Sequence, residues 1–89
     1  WVNAHGDSMA PTISSGDIVA LKRIEDHSYL INGEIYAIVT TNGLRTIKRV
    51  RDNGETFTLI ADNQEVGEQI IPKQLVTHVY HVRGTIKMF

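Results

Sequence analysis

Short runs of apolar and β-branched residues, separated by Asn-Gly pairs, dominate the middle of the chain. The three pairs begin at Asn32, Asn42 and Asn53. Asn-Gly favours the positive φ values of tight hairpin turns, so regularly spaced pairs predict an antiparallel meander. The runs that follow the pairs are rich in residues that favour strands. We therefore expect three antiparallel strands, at residues 35–40, 44–51 and 56–60.

The segments on either side of this meander also have strand character. Residues 17–21 form a short apolar run after a Ser-Ser-Gly turn, and their length suits a strand. Residues 69–72 are expected to be an edge strand, because Pro72 has no N–H to donate to a neighbour. Residues 76–87 alternate in polarity and predict a long closing strand. The sequence thus predicts a mainly β fold of antiparallel strands.

A single segment has helical character. In residues 8–12, Pro11 suits the first turn of a helix, and Asp7 or Ser8 can cap it. We predict one short helical turn here. No repeat and no shift in composition divides the chain, so residues 1–89 are expected to form one domain.

Composition narrows the possible functions. With 9 basic and 10 acidic residues the formal charge is -1, which provides no positive field to hold nucleic acid. The chain has no cysteine, which excludes disulfides and thiolate nucleophiles. The apolar-rich run at residues 35–41 is far shorter than the ~20 residues needed to span a bilayer, so we expect no membrane partner.

The four histidines raise the question of a metal site. His78 and His81 are three residues apart on a predicted strand, so their side chains should lie on opposite faces. His5 is close to Ser8 and is a minor candidate for a catalytic base, but an adjacent turn residue rarely reaches back in a suitable geometry. We therefore predict no metal and no other cofactor.

A serine nucleophile needs a base, and lysine can serve when burial removes its proton. In the predicted strand at residues 44–51, alternation places Thr46, Lys48 and Val50 on one face. If that face is buried, the pKa of Lys48 falls and the neutral amine can accept the proton of Ser8, with Thr46 orienting it. A serine–lysine dyad is therefore chemically possible, although such a serine is more often a turn residue and such a lysine a solvated charge.

Two further features bear on this hypothesis. The backbone amides of Asp7 and Ser8, at the turn into residues 8–12, are candidates for stabilising an oxyanion. The other face of the same strand is expected to be a solvated basic surface. It carries Arg45, Ile47, Arg49 and Arg51.

Several motifs, in this order, resemble the LexA-like and phage-repressor family of self-cleaving regulators. They are Gly-Asp-Ser-Met-Ala-Pro-Thr-Ile at residues 6–13, Ser-Gly-Asp-Ile-Val at 15–19 and Thr-Ile-Lys-Arg-Val at 46–50. Residues 59–63, which end in Asp-Asn, and residues 82–86 also resemble family segments. The resemblance covers nearly the whole chain. It implies that Ser8 is the nucleophile, with Met9 as a supporting residue beside it, and that Lys48 is the base.

The resemblance also implies a fold and a context. The fold would be a partly open, antiparallel β-barrel related to that of signal peptidases. The domain would form a homodimer, cleave its own upstream linker and respond to an activator or antirepressor protein. It would contact DNA only through an N-terminal helix-turn-helix domain, which is absent from this chain but expected in the parent. The resemblance places such a regulator in the cytoplasm of a bacterium, encoded there or by a phage.

Two alternatives stay open at this point. In the first, the domain is a non-catalytic dimerisation and sensing module, in which Ser8 and Lys48 only form hydrogen bonds. In the second, it is a signal peptidase, whose serine and lysine motifs are similar. The second agrees less well, because residues 62–66 differ from the longer acidic and arginine-containing motif of that family.

Overall fold

Seven antiparallel strands form one sheet among the residues that the computed structural model describes, namely 2–4, 6 and 8–87. The strands lie in the order β1-β2-β7-β3-β4-β5-β6, so β3 to β6 form a meander and β7 returns between β2 and β3. Within these residues β1 and β6 are the edges, and the sheet is open. The strands are β1 (Val2–Asn3), β2 (Ile18–Ile24), β3 (Ile35–Thr40), β4 (Arg45–Asp52), β5 (Thr56–Ile60), β6 (Glu68–Pro72) and β7 (Val76–Ile86).

The predicted mainly β fold and its hairpin turns are confirmed. β3 and β5 have the predicted bounds, and β6 is an edge strand, as the proline required. Gly43 and Gly54, in the turns that join β3 to β4 and β4 to β5, have φ angles of 88° and 94°. These positive values are the ones that Asn-Gly turns favour. Local turn chemistry therefore sets the connections of the meander.

One short helical turn is present, but its predicted position was wrong. Residues 8–12 form hydrogen-bonded turns, closed by a bond from the Ile13 N–H to the Met9 carbonyl at 2.8 Å. A single bond of this kind does not offset the entropy cost of nucleating a helix, so tertiary contacts must hold this turn. The 3₁₀ helix is Lys73–Leu75, which leads into β7. No helix in the described residues is long and apolar enough to cross a membrane.

Two apolar clusters cover opposite faces of β3, since alternate residues of a strand point to opposite sides. Tyr36 and Ile38 belong to the larger one, the main cluster, whereas Ile35 packs against the smaller one, the second cluster. The main cluster contains Leu30, Tyr36, Ile38, Val50, Phe57, Leu59, Ile71, Val76 and Val79. The second cluster contains Ala4, Met9, Ile13 and Val19, with the partly buried Leu21, Ile35, Ile47 and Val82 packed against it. The second cluster thus fastens the segment around Ser8 to the sheet.

The main cluster should supply most of the stability of the domain. Ile38 is 0% exposed within it, whereas Ile70 on the edge strand β6 is 66% exposed. We expect Ile38→Ala to lower the free energy of unfolding by about 2–5 kcal/mol, because it removes buried contacts and leaves a cavity. The matched Ile70→Ala variant should lose less than about 1 kcal/mol. Urea denaturation measures both, and equal losses would contradict this assignment of the core.

Candidate active site

Ser8 and Lys48 meet although forty positions separate them in the chain. The Nζ atom of Lys48 lies 2.9 Å from the Oγ atom of Ser8, which is hydrogen-bonding distance. Lys48 comes from the central part of β4, and Ser8 from the turn between β1 and β2. Both side chains are half-buried. The structure therefore brings together the two residues that the sequence analysis paired.

Burial changes the acidity of this lysine. Desolvation lowers the pKa of Lys48 from its ordinary value of 10.5, because the charged ammonium loses contact with water. No carboxylate of the described residues forms an ion pair with this amine to offset the effect. The neutral amine, the form that can accept a proton, is therefore easier to form here than on a lysine in water.

Two oxygens from β4 hold the Lys48 amine in place. Nζ lies 2.6 Å from the Thr46 hydroxyl and 3.4 Å from the carbonyl oxygen of Ile47. Thr46 and Lys48 share a face of β4, because they are directly opposite Ile38 and Tyr36 of the main cluster. The alternation read from the sequence is therefore present, and Thr46 occupies the orienting position expected of it.

The turn that carries Ser8 is held from two sides. Met9 is 3% exposed and anchors the turn in the second cluster. The residues that follow β5 bind the same turn, because the Asn63 N–H donates to the Ser8 carbonyl at 2.9 Å. The Asp62 N–H also points at the Met9 sulfur, at 3.4 Å. Apolar packing and backbone hydrogen bonds together fix the position of the serine.

An ion pair next to the dyad joins the same elements. Arg49 donates from Nε to one oxygen of Asp62 at 2.9 Å and from an Nη atom to the other at 2.7 Å. The Asp62 carboxylate also accepts the Thr12 hydroxyl at 2.7 Å, and Arg49 reaches the Gly33 carbonyl at 2.7 Å. Hydrogen bonds from Arg49 lower the pKa of Asp62, so the carboxylate stays charged. We call this group the Arg49–Asp62 clamp.

The clamp corrects one sequence-based expectation. Arg49 and Ile47 were assigned to a solvated basic surface, but Arg49 is half-buried in the clamp and Ile47 packs against the second cluster. Arg45 and Arg51 do remain exposed. The sequence alone indicates no role for Asp62, although an Asp-Asn pair stands shortly after the strand predicted at residues 56–60. The alternation of side chains along one strand does not show which arginine binds a carboxylate from another part of the chain.

Some predicted site groups lie outside the described residues. His5 and Asp7 are among them, so the second proposed oxyanion amide and the minor candidate base stay predictions. His78 and His81 are described and lie on opposite faces of β7, since they are opposite Val39 and Tyr36 of β3. His78 stacks on Tyr80, and His81 lies against Tyr36. In the described part of the chain, no three metal-ligating side chains converge on one point.

An open groove of about 1090 Å³ begins at the dyad. We call it the Ser8 groove. Ser8, Lys48 and Thr46 lie in its wall, and the adjoining faces of β2, β3, β4 and β7 form the rest of it. The hydroxyl of Ser8 is therefore accessible from a channel large enough to admit an extended segment of polypeptide.

A comparison against known protein families found a match for this chain. A family model described as Peptidase S24-like matches residues 1–86, which is almost the entire chain. A comparison with curated proteins found no match. The chain therefore belongs to the Peptidase S24-like family.

Proposed function

We propose that this chain is a serine–lysine peptidase domain in which Ser8 is the nucleophile and Lys48 is the general base. The observation that carries the proposal is the 2.9 Å contact between Lys48 Nζ and Ser8 Oγ, made by an amine whose pKa burial lowers. A nucleophile within hydrogen-bond reach of a base, with a third group orienting that base, is the arrangement that activates a hydroxyl. Thr46 is the third group.

The hydrogen bonds around Lys48 suit a neutral amine. Such an amine has two N–H donors and one lone pair. The hydroxyl of Thr46 and the carbonyl of Ile47 can take the two donors, which turns the lone pair toward Ser8. The Ser8 hydroxyl then donates to Nζ and passes its proton there as Oγ attacks a carbonyl carbon. The resulting ammonium can return the proton to the departing amine.

Developing negative charge on the attacked oxygen requires hydrogen-bond donors. We propose the backbone amides of Ser8 and Asp7 for this role, because they belong to the turn that presents the nucleophile. The ammonium formed on Lys48 would add a positive charge nearby. Preorganised donors of this kind contribute strongly because they need no rearrangement during the reaction.

The substrate and context that we propose follow from the family resemblance of the sequence. The domain would be the C-terminal, dimerising half of a repressor-type transcriptional regulator, and would cleave its own upstream linker. The accessibility of Ser8 from an open groove supports a polypeptide substrate. An activator or antirepressor protein would then control when the linker enters the groove.

The first prediction concerns the dyad. In the full-length parent protein, Ser8→Ala and Lys48→Met should each lower the rate of self-cleavage by about 10³-fold or more, because they remove the nucleophile or its base. Incubation at alkaline pH, followed by gel electrophoresis and intact mass measurement, detects cleavage upstream of residue 1. The controls Ser15→Ala and Lys22→Ala alter exposed residues of the same types and should leave the rate unchanged. A wild-type protein that stays intact at every pH and with every activator would instead support the non-catalytic dimerisation module.

The second prediction concerns pH. Below the pKa of Lys48 its amine is protonated and cannot accept a proton, so the cleavage rate should rise with pH as that proton is lost. Because burial lowers this pKa, the half-maximal rate should occur at a pH below the ordinary lysine value of 10.5. A series of single-turnover rates across pH gives the midpoint. A rate that falls as pH rises, or a midpoint at 10.5 or above, would exclude Lys48 as the base.

The third prediction concerns the Arg49–Asp62 clamp. Asp62→Asn keeps the size of the side chain but removes its charge, so the Ser8 turn should sit less accurately against β4. We expect the cleavage rate to fall by about 10- to 100-fold, since small misplacements of reacting groups have effects of this order. The midpoint of the pH profile should stay below 10.5, because the substitution adds no negative charge near Lys48.

The matched control removes a second pair between an arginine of β4 and a carboxylate. Arg51 and Glu68 are 3.8 Å apart with side chains 52% and 57% exposed, so Glu68→Gln should leave the rate unchanged. An Asp62→Asn protein with full activity would show that the clamp does not position the nucleophile. Denaturation midpoints of both variants would separate a loss of rate from a loss of folded protein.

A further inference from the structure

The part of the Ser8 groove away from the dyad combines apolar, aromatic and positively charged side chains. Two rows of directly opposed residues cross the sheet there, and directly opposed residues point to the same side. One row runs Arg23, Tyr80, Ala37 and Ile47 across β2, β7, β3 and β4, and the next runs His78, Val39 and Arg45. All seven line the groove. Its floor thus contains the stacked rings of His78 and Tyr80 beside the small and aliphatic Ala37, Val39 and Ile47, with arginines at its margins.

The two arginines are available to a ligand. Arg23 and Arg45 are exposed, and within the described residues neither forms an ion pair. No aspartate or glutamate is among the described residues that line the groove. The described lining of the groove therefore carries positive charge and no negative charge, even though the chain as a whole has a formal charge of -1. A partner with negative charge at the matching positions would complement it.

We propose that the Ser8 groove selects an extended peptide segment whose carboxylate side chain binds Arg45 or Arg23. The proposal rests on the proposed function and names its substrate class. The Cα atoms of Lys48 and Arg45, three positions apart on β4, are roughly 10 Å apart along the strand, and the two side chains start from opposite faces of it. The carboxylate would therefore lie about three residues from the reacting bond.

The apolar floor favours a peptide over a nucleic acid. The rings of His78 and Tyr80 can stack on bases as well as on peptide side chains, so the distinction depends on Ala37, Val39 and Ile47, which offer no hydrogen bonds to bases or phosphates. Two arginines also give few phosphate contacts, and nucleic-acid binding usually depends on many. Arginine binds a carboxylate through two parallel hydrogen bonds, which makes this contact selective for acidic residues over neutral ones.

The test measures binding by the Ser8→Ala variant, so that its failure is distinct from a failure of the proposed catalysis. Short capped peptides with an alanine- and valine-rich centre would carry Glu, Gln or Lys about three residues before or after the centre. In low salt, the better of the two Glu peptides should bind about two- to fivefold more tightly than its Gln counterpart, and the Lys peptide more weakly. High salt should reduce the difference.

Variants of the groove assign the preference to its arginines. Arg45→Gln and Arg23→Gln should together abolish the preference for Glu, while Arg83→Gln, which alters an exposed arginine of β7 that does not line the groove, should preserve it. Equal binding of the Glu, Gln and Lys peptides, or no binding of any peptide, would overturn the proposal. A preference that survives the double variant would also overturn it, as would an oligonucleotide that displaces the peptide at lower concentration. The peptide series keeps both arginines, so it tests the proposal even if an arginine variant folds poorly.

Discussion

The bidentate ion pair between Arg49 and Asp62 joins the strand that carries Lys48 to the turn that carries Ser8. Arg49 directly follows Lys48 on β4, and Asp62 binds the Ser8 turn through the Thr12 hydroxyl. The adjacent Asn63 N–H holds the Ser8 carbonyl. An ion pair of this geometry is stronger and more directional than a single contact between point charges. Because the turn is not a helix and has little local order of its own, its position depends on this clamp and on the burial of Met9.

The partly buried position of the Lys48 amine lowers its pKa. Desolvation destabilises the ammonium, and the oxygens that meet Nζ are neutral hydroxyl or carbonyl groups. A carboxylate at the same distance would favour the charged form and raise the pKa. The carboxylate of Asp62 is instead bound by Arg49. The clamp thus orders the turn, and the charge of Asp62 is paired with that of Arg49.

The two faces of the sheet have different roles in the domain. The main cluster, which includes Ile38, Phe57 and Val79, buries one face and supplies the stability. On the other face the second cluster covers only the part under the Ser8 turn, and the sheet beyond it lines the groove. A face left partly uncovered costs hydrophobic burial, but it leaves Ala37, Val39 and Ile47 open to an extended ligand, while Thr46 and Lys48 start from the face of the main cluster and also line the groove. One face of these strands thus stabilises the domain, and the other is accessible to a ligand.

The sequence by itself determined the strands of the meander, their turns and the edge position of β6, because Asn-Gly, proline and period-two alternation act over a few residues. Motif resemblance and the alternation of β4 also identified Ser8, Lys48 and Thr46 from the sequence as candidate site residues. Only the tertiary structure decided that Arg49 binds Asp62 and not solvent alone. It also decided that residues 8–12 form turns instead of a helix, and that Arg23 and Arg45 line one groove. These features depend on the order of strands in the sheet. That order brings together residues far apart in the chain, and no local pattern encodes such distances.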